Sequence, residues 1–152
     1  MTARLATLAD QEALYDLIHA MHAEAPAYRD RKPSWAKVCR EIGSAVLDGR
    51  CFVVGPAGAP HGVLMGFIGA QWWTEELEAR DMLLYLAPGR RGSRDFLRLV
   101  AAYEQWAAGH GVTRANLGLS SHIDHAGTAS ALMRLGYAPA AESYCKALPC
   151  PP

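Results

Sequence analysis

The chain has 152 residues, about half hydrophobic (51%) and a fifth charged (20%), which excludes wholesale disorder and points to one globular domain. Lys plus Arg and Asp plus Glu number 15 each, so the formal net charge is zero and a whole-protein basic footprint for nucleic acid is excluded. No apolar run reaches the ~18 residues of a spanning helix. The longest, Val63–Ala70, holds two glycines and reads as a strand. Acidic residues at Asp10 and Glu12 come too early for a signal peptide, so a cytoplasmic protein is expected. The cysteines are Cys39, Cys51, Cys145 and Cys150, none at C-x-x-C spacing, so reduced thiols without a zinc or redox motif are expected.

Residues 3–6 read as a short first strand. Asp10 is placed to cap a helix on which Leu14, Leu17, Ile18 and Met21 share one face, until Pro26 ends it. Residues 25–33 form a polar, proline-flanked loop. Ser34 is placed to cap a second helix with Val38, Ile42, Ala45 and Val46 on its apolar face, closed by Gly49. Cys51–Val54 and Val63–Trp72 read as a hairpin around the turn at 55–62, rich in Gly and Pro. Thr74–Ala79 reads as an acidic link. Met82–Ala87 is a continuous apolar strand of the kind buried mid-sheet, stopped by Pro88.

The clearest helix carries Phe96, Leu99, Val100, Tyr103, Trp106 and Ala107 at helical spacing and ends at Gly109 and Gly111. Val112–Leu119 reads as a strand. Asp124 opens a fourth helix, with Ala129, Leu132 and Met133 on one face, that ends at Gly136. Tyr137–Leu148 supplies one bent strand or two. The order β, α, α, β, β, β, α, β, α, β, β is an α/β domain over residues 1–148, followed by a short proline-rich tail at 149–152. Neither a G-x-G-x-x-G after a strand nor a G-x-x-x-x-G-K-[ST] is present, so dinucleotide and nucleoside-triphosphate sites lack their usual support.

The chemistry gathers in Leu84–Val100, LYLAPGRRGSRDFLRLV. A buried strand enters a Gly- and Arg-rich turn and passes straight into a long helix. The first N–H groups of a helix have no internal partner and sit at the positive end of its dipole, which suits phosphate. Gly92 permits close approach. Arg90, Arg91 and Arg94 add charge that can grip phosphate oxygens. Solvated arginines at an ordinary helix start are the plainer reading of the same residues. The pair His122 and His125 around Asp124 invites a metal, but without a third distant ligand none is expected.

The residues LYLAP-x-x-R-G, the helix end WAAGHGV, the strand RANLGLSS, the later LGY and the final ESYCKAL together resemble the GNAT superfamily of acyl-CoA-dependent N-acetyltransferases, over nearly the whole chain. The resemblance implies a mixed, mostly antiparallel central sheet flanked by about four helices. It implies acetyl-CoA as cosubstrate, without a metal, and a primary amine as acceptor. Arg91 falls at the first position of the family's pyrophosphate motif, whereas Arg94 and Phe96 stand where its two glycines usually are. By resemblance the loop and first helical turn, Arg91, Gly92, Ser93, Arg94, Asp95 and Phe96, hold the phosphates. The backbone of Leu84, Tyr85, Leu86 and Ala87 holds the pantetheine arm and the acetyl carbonyl. His125 lies near that arm.

Asp81, at the start of the central strand, resembles the catalytic carboxylate of some members, and burial would raise its pKa as a base requires. Glu78 and Glu24 are weaker candidates. The family's usual acid, a tyrosine, falls at Leu132 here, so Tyr144 is the first substitute, with Tyr85 and Ser120 behind it. Trp72 and Trp73 suit substrate contact, packing or a dimer face. The resemblance is compatible with a homodimer, a small-molecule or peptide acceptor, and no nucleic-acid or membrane partner. A second functional class, an acyl-CoA-binding module with little catalysis, fits Leu132 and the altered glycine positions.

Overall fold

The computed structural model describes residues 2–146 and 148; the tail at 149–152, with Cys150, lies outside the described residues. In chain order the elements are β1 (Arg4–Leu5), α1 (Gln11–Glu24), α2 (Trp35–Leu47), β2 (Cys51–Val54), β3 (Gly62–Ala70), β4 (Leu77–Leu86), α3 (Asp95–Gly109), β5 (Ala115–Asn116) and α4 (His125–Arg134). One sheet runs in the order β1-β2-β3-β4-β5. Neighbours from β1 to β4 are antiparallel and the β4–β5 pair is parallel. This is the mixed, mostly antiparallel sheet that the sequence resemblance implied. Among the described residues no helix is long and apolar enough to cross a membrane.

Two apolar clusters sandwich the sheet. One joins Leu14 and Ile18 of α1 and Ile42 and Ala45 of α2 to Val53, Val63 and Tyr85. The other joins Leu99, Tyr103 and Ala107 of α3 to Phe52, Leu64 and Leu86. Period-two alternation along the strands sends successive side chains to opposite clusters. At Gly66, α3 packs closely on the sheet. A Cβ there would lie 2.8 Å from Tyr103 Cε2 and 3.1 Å from Trp106 Cζ3. Gly66→Ala should therefore lose about 1–3 kcal/mol of stability, the usual cost of forcing a methyl into a packed core, read from the urea midpoint. An unchanged midpoint would mean that α3 packs less tightly than described.

Several expectations need correction. Asp10 does not cap α1 with its side chain. Its carboxylate is fully buried and takes Arg4 in a two-pronged pair at 2.7 and 2.8 Å, plus the N–H groups of Thr7 and Gly58 at 2.9 Å each. These donors hold its pKa well below the carboxylate range, Arg4 most of all, against the opposing effect of burial. The expected acidic link at 74–79 is partly strand: β4 begins at Leu77, because the Glu78 carboxylate is buried against Asn116 Nδ2 at 3.1 Å and Arg80 at 3.5 Å. β3 ends at Ala70, which leaves Trp72 and Trp73 exposed in the turn to β4.

The strand expected over Val112–Leu119 shrinks to Ala115–Asn116, since the Asp81 side chain takes the N–H of Gly118 that a longer ladder would use. No strand forms over the described part of 137–148. That segment has Pro139, which lacks an N–H, and no β-branched residue to favour a pleated ladder.

Candidate active site

The sheet opens after Arg80. β4 and β5 pair only at Ala79–Ala115 and Arg80–Asn116, and beyond that point the two chains part. At the vertex, Asp81 Oδ1 accepts the Gly118 N–H at 2.7 Å. A bulge sits beside it: Met65 faces Leu83 but Gly66 faces Asp81, which leaves Met82 unpaired. A bulge adds a residue to one strand and re-aims its neighbours. A cleft of about 380 Å³ fills the gap. One wall is the open edge of β4 at Leu84–Leu86 and the other is Gly118 and Leu119. Gly92, Ser93 and Phe96 close the α3 end, and His125, Thr128 and Arg134 of α4 close the far side.

Backbone groups give the cleft its polarity. The Ala87 N–H donates to the His61 carbonyl at 2.9 Å, on the β3 side. Alternation along an antiparallel strand then turns the N–H and C=O of Leu84 and Leu86 towards the cleft. Leu86 O accepts Arg91 Nε there at 3.2 Å, which leaves the N–H groups of Leu84 and Leu86 on the open edge.

At the start of α3, Ser93 Oγ donates to Arg90 O at 2.7 Å and accepts the Asp95 N–H at 3.2 Å. Among the described residues, the N–H groups of Gly92, Ser93 and Arg94 bond to no backbone carbonyl. Those of Phe96 and Leu97 lie in the first turn, where a helix has no acceptor for them. Gly92 has φ +73°, a left-handed conformation that favours glycine, and open space where a Cβ would stand. The side chains of Arg94 and Phe96 leave this row of donors intact.

The residues singled out in the sequence separate into two groups. Leu84, Tyr85, Leu86, Arg91, Gly92, Ser93, Phe96 and His125 line one cleft. Asp81 joins them through Gly118, itself a lining residue. Ala87 is turned away by its bond to His61. Asp95 is buried behind the loop, 2.9 Å from His61 Nε2 and 2.7 Å from Arg98, and Arg94 is exposed at the helix start. Tyr144 is not in the site: it is 89% exposed and its hydroxyl donates to Glu142 at 2.6 Å. His125 stacks on His122 with ring centroids 5.5 Å apart. Among the described residues no group of three His, Cys, Asp or Glu side chains could hold a metal ion.

Two carboxylates near the cleft are driven in opposite directions. Burial raises the Asp81 pKa, opposed by the Gly118 N–H. Glu24 is lowered, chiefly by Arg91, against burial and with help from Tyr85. Asp81 is thus the more readily protonated of the two, and Glu24 the more firmly ionised.

Sequence reasoning missed the setting of Glu24. Arg91 grips it with both terminal nitrogens at 2.5 and 2.6 Å, and the Tyr85 hydroxyl donates to it at 3.0 Å. The Arg91 guanidinium lies 5.5 Å from the Tyr85 ring centroid. The two ends of this pair are 67 residues apart, with no spacing signal to join them. Among the described residues the Tyr137 hydroxyl is buried without a hydrogen-bond partner, and burial together with Glu104, Tyr103 and Asp81 raises its pKa.

No protein-family model matches the sequence, and no curated protein matches it. Solved structures share its fold. One is a ribosomal-protein-alanine N-acetyltransferase from Brucella melitensis biovar Abortus, at 14% identity and TM-score 0.68, covering 97% of this chain and 100% of that one. Another is an aminoglycoside antibiotic 6'-N-acetyltransferase from Acinetobacter haemolyticus, at 15% identity and TM-score 0.69, covering 99% of each chain. A third is AAC(6')-Iy in complex with the bisubstrate analogue CoA-S-monomethyl-acetylneamine, at 12% identity and TM-score 0.72, covering 97% of each chain. The fold is that of the GNAT acetyltransferases.

Proposed function

We propose that the chain is an N-acetyltransferase that moves the acetyl group of acetyl-CoA to a primary amine within a ternary complex. The observation that carries this reading is the cleft between β4 and β5, with free N–H groups at its edge and at the start of α3. A diphosphate suits the N–H row at Gly92–Leu97, where the helix dipole is positive. An extended amide-bearing arm suits the open edge at Leu84–Leu86, as an added strand would. The same edge supplies a donor for the oxygen that becomes negative during acyl transfer. The shared fold supports the reading, as does a bisubstrate analogue of coenzyme A in one of the similar structures.

The amine nitrogen attacks the thioester carbon, the C–N bond forms and the C–S bond breaks. Asp81 takes the amine's proton through water, since an ammonium with pKa near ~10.4 is almost wholly protonated at neutral pH. The leaving thiolate, with pKa near ~8.5 for a simple thiol, takes a proton from solvent. The acceptor is a small molecule or a peptide end, in keeping with the aminoglycoside and ribosomal-protein-alanine enzymes that share the fold.

A non-catalytic acyl-CoA-binding module is the second reading, favoured by Leu132, a buried apolar side chain at the position that the sequence resemblance gives to the family's acid. Incubation with acetyl-CoA and a panel of aminoglycosides, polyamines and alanine-terminated peptides separates the two. Release of CoA thiol with any amine supports the enzyme. Binding of acetyl-CoA without release on the whole panel supports the module.

A further inference from the structure

Arg91 is placed to serve two anions in turn. Its backbone belongs to the loop that presents the free N–H groups of Gly92–Arg94, and its side chain lines the cleft. Yet both terminal nitrogens are committed to Glu24, the last residue of α1. The pair is open to solvent, with the Arg91 and Glu24 side chains 25% and 33% exposed. Ion pairs this exposed contribute little net stability, so a multiply charged diphosphate beside the loop competes for the guanidinium on favourable terms. Glu24 would not be left without hydrogen bonds, because Tyr85 still donates to it. It would, however, become a carboxylate lacking a cation. It ends α1 and is held by Tyr85, which packs with α1 and α2 on one face of the sheet; from the α1–α2 loop that follows it, Tyr28 reaches Ser120 at 3.2 Å.

We infer that Glu24 is the site for the acceptor's ammonium group, masked by Arg91 until the phosphates of acetyl-CoA draw that arginine away. The inference rests on the acetyltransferase reading and names its acceptor class: an amine that arrives as a cation. The exchange turns one intramolecular ion pair into two intermolecular ones, Arg91 to phosphate and Glu24 to ammonium. Binding of one substrate then favours the other, and linkage makes the effect reciprocal. Glu24 is a binding residue here and takes no proton in the reaction.

The test is calorimetric titration of the wild-type chain, Glu24→Gln and Glu12→Gln with coenzyme A, together with a structure of the wild-type complex. Freed from its partner, Arg91 in Glu24→Gln should bind coenzyme A roughly fivefold or more tighter, at the lower end of ordinary coupling factors. Glu12→Gln removes an exposed carboxylate from the first turn of the same helix, leaves the Arg91–Glu24 pair in place and should change affinity by less than about twofold, a shift small on the scale of such couplings. In the complex Arg91 should lie on phosphate oxygens and away from Glu24. Equal or weaker binding by folded Glu24→Gln would show that the pair is a strut and overturn the exchange. So would a complex with Arg91 still on Glu24, a readout that stands even where the variant does not fold. Either result leaves the acetyltransferase reading intact. A wild-type chain that fails to bind coenzyme A overturns both.

Discussion

Asp81→Asn should lower turnover by about a hundredfold or more, in the range lost with a general base, and should leave the protein at least as stable as before. The two effects have one cause. Burial raises the Asp81 pKa, so the folded chain ionises this group at a cost that the unfolded chain does not bear. With the folded value above the unfolded one, the group's contribution to stability is fully present below the unfolded pKa and is lost as pH rises through the folded value. Asparagine removes that loss at neutral pH while its carbonyl still accepts the Gly118 N–H. The wild-type rate should climb as pH rises through the raised pKa, and the variant should lack that acidic limb. Measured pH–rate profiles and melting temperatures decide the matter. An unchanged profile would exclude Asp81 as the base, and a large drop in melting temperature would make its role structural.

Asp10→Ala should cost about 3–5 kcal/mol, the penalty for breaking a buried pair by removing one partner. It strips Arg4 of its carboxylate and orphans the N–H groups of Thr7 and Gly58, which together tie β1, the start of α1 and the β2–β3 turn. The pH dependence has the opposite sign to that of Asp81. The Asp10 pKa is depressed, so its stabilisation is complete above the unfolded value of about 4 and is lost as pH falls below it towards the folded value. Urea midpoints of the two proteins should therefore converge in acid. A midpoint gap that persists undiminished in acid would mean that packing, not charge, accounts for the loss.

The parts of this fold that could be read from the sequence are those with local causes. Cys51–Val54 and Gly62–Ala70 are apolar runs around a Gly- and Pro-rich turn, and α3 repeats its apolar residues over four turns. The row of unbonded N–H groups between Gly92 and Arg94 was legible because helix starts carry free N–H groups whatever follows. What escaped depends on partners far along the chain. Glu78 looked like part of a solvated link because Asn116, which buries it, is 38 residues away. Asp10 looked like a cap because helix starts favour that residue, yet the guanidinium of Arg4 outcompeted the helix N–H groups for it. The identity of Arg91 as a cleft residue was legible, whereas its commitment to Glu24 was not. Tyr144 lies outside the cleft because the strand that would have carried it inward does not form.

The most direct measurement is a calorimetric titration of the wild-type chain with acetyl-CoA and with free coenzyme A. The free N–H groups at the start of α3 and along β4 predict binding of both with micromolar dissociation constants, about −8 kcal/mol. A folded protein that releases no heat with either ligand and shows no rise in melting temperature would contradict the account, and the cleft between β4 and β5 would then serve another ligand.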